Sequence, residues 1–87
     1  MAQSITVQPI PVLIDGHDTE GMLVLSDGRL VAVLARLDGK HHGVDAGKWH
    51  LEAGLGRCAP PPGESLVWDT PQDGARWVEA QLSDQPR

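Results

Sequence analysis

Two apolar runs, Met22-Leu23-Val24-Leu25 and Leu30-Val31-Ala32-Val33-Leu34, lie on either side of Ser26-Asp27-Gly28-Arg29. Aliphatic and β-branched side chains suit a pleated, half-buried surface, and Asp-Gly supplies the two positive-φ positions of a type I′ turn. The pattern predicts a β-hairpin in which Leu25 faces Leu30, Val24 faces Val31, Leu23 faces Ala32 and Met22 faces Val33. Upstream, Pro11-Val12-Leu13-Ile14 reads as a strand, joined to the hairpin by a polar loop from Asp15 to Gly21. Pro9 and Pro11 lack an N–H, which places the start of that strand at a sheet edge or just outside it. Downstream, Lys48-Trp49-His50-Leu51-Glu52-Ala53 alternates strictly. Trp49, Leu51 and Ala53 fall on one face, with Lys48, His50 and Glu52 on the other. Leu66-Val67-Trp68 reads as a short last strand after the stiff connector Pro60-Pro61-Pro62-Gly63.

Thr70-Pro71-Gln72-Asp73 predicts a helix start, with Thr70 as N-cap, Pro71 at the first helical position and an acid in the first turn. Ala75, Val78 and Leu82 form its apolar stripe, with Trp77 beside it. The expected fold is α+β: a four- to five-stranded twisted antiparallel β-meander followed by one C-terminal α-helix packed on the sheet. A single domain over residues 1–82 and a frayed tail over 83–87 complete this reading.

The predicted register leaves the hairpin apolar on both sides. Leu23, Leu25, Leu30, Ala32 and Leu34 share one side, and Met22, Val24, Val31, Val33, Ala35 and Leu37 share the other. A helix of about twelve residues is ~18 Å long and covers one face only. Either the sheet curls so that loops and the N-terminal segment close over the second face, or a homodimer or protein partner docks there. On the second alternative Met22, Val24, Val31 and Val33 are the interaction residues.

Composition narrows the partners. The net charge of −5 is unevenly spread: residues 36–58 hold Arg36, Lys40, Lys48 and Arg57 against Asp38, Asp45 and Glu52, and both flanking regions are acidic. Such a balance argues against binding nucleic acid or an anionic membrane surface, which needs a dense cationic face. The single cysteine, Cys58, excludes an intramolecular disulfide framework. The N-terminus, Met-Ala-Gln-Ser-Ile-Thr, lacks the basic and apolar regions of a secretion signal, and no apolar stretch approaches membrane-spanning length. The expectation is a cytoplasmic protein that crosses no membrane. Three tryptophans and no Phe or Tyr mean that indoles supply the core bulk Phe would normally provide.

Candidate chemistry is sparse. Asp15-Gly16-His17-Asp18-Thr19-Glu20-Gly21 misses the alternating ligands and the turn glycine of a calcium loop. His41 and His42, with Asp45 and His50 nearby, are the weak metal candidates, since imidazole and carboxylate are zinc ligands. Their spacing matches no standard ligand pattern, and protonation near pH ~6.5 would instead make this stretch cationic. Gly54-Leu55-Gly56-Arg57-Cys58-Ala59 follows a strand in the form of a dinucleotide fingerprint, but the prolines at 60–62 forbid the helix that would aim at a pyrophosphate. Cys58 has Arg57 beside it and His50 on the preceding strand, without the orienting group of an activated nucleophile. Ser65 lies outside any nucleophile elbow. With no paired carboxylates and no cofactor loop, the sequence reads as a self-associating, non-enzymatic interaction or accessory domain that needs no cofactor. The alternative is a small-ligand or metal-binding protein using the His-containing loop 38–50.

Overall fold

The computed structural model describes residues 4–14, 16–37 and 46–83. Five strands, β1 (Ile5–Ile14), β2 (His17–Ser26), β3 (Arg29–Arg36), β4 (Trp49–Gly54) and β5 (Val67–Trp68), precede one helix, α1 (Pro71–Ser83). The sheet is an antiparallel meander in the order β1-β2-β3-β4-β5, and α1 packs on it, as the α+β reading expects. Ser83 closes the helix, and the rest of the expected tail lies outside the described residues.

The turn at Asp27-Gly28 has φ of 52° and 81°, the paired positive values that the dipeptide predicts. Asp27 also ties down β1: its N–H donates to the Ser4 carbonyl at 2.9 Å, and the Ser4 N–H donates to its carboxylate at 3.0 Å. The backbone groups of Ser4 therefore point toward β2. By alternation the even-numbered residues of β1 do the same, and Pro9 and Pro11 turn their ring nitrogens to the open edge. This parity lets β1 run through both prolines. The strand starts at Ile5 rather than Pro11, and the supposed polar loop is mostly strand β2. Ile14 pairs with His17, and Gly16 between them has φ 83°.

The register of the β2–β3 hairpin departs from expectation after its first pairs. Leu25 faces Leu30, but Val24 then faces Ala32, Leu23 faces Val33 and Met22 faces Leu34. Val31 is the extra residue of a β-bulge, and its carbonyl accepts a hydrogen bond from the Leu55 N–H at 3.0 Å, beyond the end of β4. A one-residue slip exchanges the faces of everything beyond it. Ala32 and Leu34 thus join Met22 and Val24, while Val33 and Ala35 join Leu23 and Leu25. A second irregularity in β4 has the same effect: Leu51 faces Leu34 and Ala53 faces Val33, so Glu52 bulges and Ala53 leaves the face of Trp49 and Leu51.

The core sits between this sheet face and α1: Val24, Ala32, Leu34, Trp49, Leu51, Cys58 and Val78 are its buried members. The Thr70 hydroxyl accepts from the Asp73 N–H at 3.1 Å, the expected cap. Gly74, absent from the expected apolar stripe, is buried where α1 meets the sheet. A Cβ there would lie 2.8 Å from Leu34 Cδ1 and 3.0 Å from Trp68 Cε3, so the missing side chain sets how closely the helix approaches. Trp68 and Trp77 pack with ring centroids 5.6 Å apart, and both lie against the core, as expected of the three indoles. After β4, a 3₁₀ turn (Gly56–Cys58) folds back onto Gly54, where a Cβ would stand 1.9 Å from the Cys58 carbonyl oxygen.

Two substitutions test these supports. Gly54→Ala is expected to displace the turn that carries Cys58 into the core and to cost about 1–3 kcal/mol by urea unfolding. Thr70→Ala is expected to cost about 1 kcal/mol and to fray the first turn of α1, read by amide exchange at Asp73.

Candidate functional site

The four residues expected to form an interaction face do not share one. Val24 is fully buried beneath α1, and Met22 and Val31 pack against the same core. Only Val33 lies on the opposite side of the sheet. The bulge at Val31 separates them, because it shifts Val33 out of phase with Val24.

That opposite side is the larger candidate surface. Strand pairing places Thr6, Gln8, Ile10 and Val12 of β1 on it, followed by Thr19, Gly21, Leu23 and Leu25 of β2 and Leu30, Val33 and Ala35 of β3. Gly21 and Ala35 are buried within it, Leu23, Leu25 and Val33 are half-buried, and Ile10 and Leu30 are 37% and 42% exposed. None of these residues is charged. Among the described residues, ionisable groups enter this face around β4 and β5, and there they meet one another. His50 Nε2 lies 2.9 Å from Glu52 Oε2, and Lys48 Nζ lies 3.7 Å from Asp69 Oδ1. The charged residues of the β1–β3 region stand on the helix side, where Arg36 and Glu20 meet at 3.5 Å.

An open cleft of about 350 Å³ near the β1–β2 end of the sheet is lined by Pro9, Ile10, Pro11, Glu20, Gly21, Met22 and Trp49. It is apolar apart from Glu20, whose carboxylate already faces Arg36. A cleft of this kind admits an apolar group but offers no converging polar groups to orient one.

His41, His42 and Asp45 lie outside the described residues. His50 is on β4 beside Glu52, and among the described residues no three His, Cys, Asp or Glu side chains gather as a metal site. Cys58 is fully buried in the core, where desolvation raises its pKa. Burial disfavours the thiolate, so this thiol is a packing group and not an activated nucleophile. Among the described residues no helix is long and apolar enough to cross a membrane. The chain matches no protein-family model, no curated protein and no solved structure.

A thiol reagent checks the placement of Cys58. At pH 8 labelling is expected to be slow in the native protein and immediate in denaturant, and prompt native labelling would contradict the burial. Because the folded-state pKa is the raised one, the folded form holds its proton at a pH where the unfolded chain loses it. This contribution to stability is complete below the ordinary thiol pKa of ~8.5 and declines as pH rises beyond it. Urea midpoints between pH 7 and 10 would show the decline, and a Cys58→Ala variant would lack it.

Proposed function

We propose that this chain is a non-enzymatic interaction domain that docks through the sheet face opposite α1. The observation that carries the reading is the run of uncharged residues across three adjacent strands, with Leu23, Leu25, Leu30 and Val33 at its centre. Solvent-facing sides of antiparallel sheets normally alternate to polar residues, and a contiguous apolar surface in a soluble domain marks a contact site. The one helix is committed to the other side.

Two aspartate substitutions one strand apart separate this face from the core. Val24→Asp is expected to unfold the domain, because it buries an unpaired charge under α1. Val33→Asp is expected to keep the fold by circular dichroism at a cost of roughly 1 kcal/mol, as for a partly solvated site. The face itself is tested with the dye ANS. The wild-type face is expected to be either occupied in an assembly or bare and dye-binding, with Val33→Asp removing most of the emission. A wild-type monomer that leaves ANS dark would overturn the docking reading.

A further inference from the structure

We infer that the occupant of this face is a second copy of the same chain, paired about a two-fold axis near Leu23 and Val33; this rests on the docking reading above. In a two-fold interface every residue near the axis meets its own counterpart. Any charge there would face a like charge, so a surface that meets itself must be uncharged at its centre. A surface shaped for a different partner has no such requirement and normally carries charges that select that partner. On β1–β3 this face carries none among the described residues, although the chain as a whole has 19 charged residues, 12 acidic and 7 basic. Toward β4 and β5 the ionisable groups already have partners within the chain: His50 Nε2 contacts the Glu52 carboxylate and Lys48 pairs with Asp69.

The dimensions agree. Strands of ten, ten, eight, six and two residues, at ~3.3 Å per residue and ~4.8 Å apart, give a face of roughly 600 Å², of which the uncharged β1–β3 part is about 440 Å². That footprint of about 600 Å², before side-chain relief is added, approaches the ~800 Å² that each partner contributes to a stable interface. Face-to-face packing of two such sheets, ~10 Å apart with strands roughly aligned, is a standard β-sandwich arrangement. The open edge offers no rival route. At Pro9 and Pro11 the outward positions of β1 have no N–H to give a neighbouring strand, and β5 at the other edge is two residues long.

The test uses charge reversal at the axis, with mass measured by light scattering after size exclusion over a hundredfold range of concentration. Wild type is expected at twice 9.3 kDa. Val33→Asp alone and Val33→Lys alone are expected as folded monomers, and an equimolar mixture of the two is expected to regain the dimer. Leu23→Asp with Leu23→Lys repeats the design should either Val33 variant fail to fold. A wild-type dimer that persists in Val33→Asp would place the contact elsewhere and overturn the inference. So would single variants that fall apart and do not recombine on mixing. A wild-type monomer that binds ANS would overturn the second copy while leaving a docking face for another protein, and a monomer that leaves ANS dark would remove both.

Discussion

At Val31 the third strand gains one residue over the second, and that residue decides which side chains meet the helix. With uninterrupted pairing, Ala32 and Leu34 would stand on the side opposite Val24. The core under α1 would then lose Leu34, one of its largest fully buried side chains. The bulge costs a regular ladder position, but its exposed carbonyl is satisfied by the Leu55 N–H. That hydrogen bond also holds the segment after β4 against the sheet, and from it the 3₁₀ turn carries Cys58 into the core. One backbone contact therefore links strand register, core composition and the path of the connector.

The legible parts of this chain were those with a local physical cause. Asp27-Gly28 needs no tertiary information to make a turn, and neither do Thr70 and Pro71 to start a helix. Both occur where the chemistry of a few neighbouring residues dictates. The bulges at Val31 and Glu52 are different, because nothing in their own side chains favours an extra residue; they follow from contacts with distant strands. Gly74 was obscured for a related reason: it is a poor helix former, and only the proximity of Leu34 and Trp68 gives it a purpose. Asp15-Gly16 carried the same turn signal as Asp27-Gly28. The acidic residues after it, and the prolines before it, masked the strands on either side.

The sheet face opposite α1 shows what register does to such a reading. That one helix covers one sheet face only could be argued from its length alone. Which residues occupy that face could not, because a single bulge moves Val24 beneath the helix and leaves Val33 outside. The result is a segregated molecule. Charged side chains of the first three strands gather on the helix side with the Glu20–Arg36 pair, while the opposite side stays neutral.

The two prolines of β1 set a limit on growth. A sheet whose outer strand cannot donate hydrogen bonds at two neighbouring outward positions, Pro9 and Pro11, is a poorer template for another strand, and the short strand opposite gives little more. Association through faces saturates once each face is covered, whereas association through edges leaves a fresh edge for every one it consumes. Pro9, Pro11 and the two-residue β5 therefore bias the chain away from fibrils, even with a β-rich surface of the composition that fibrils favour.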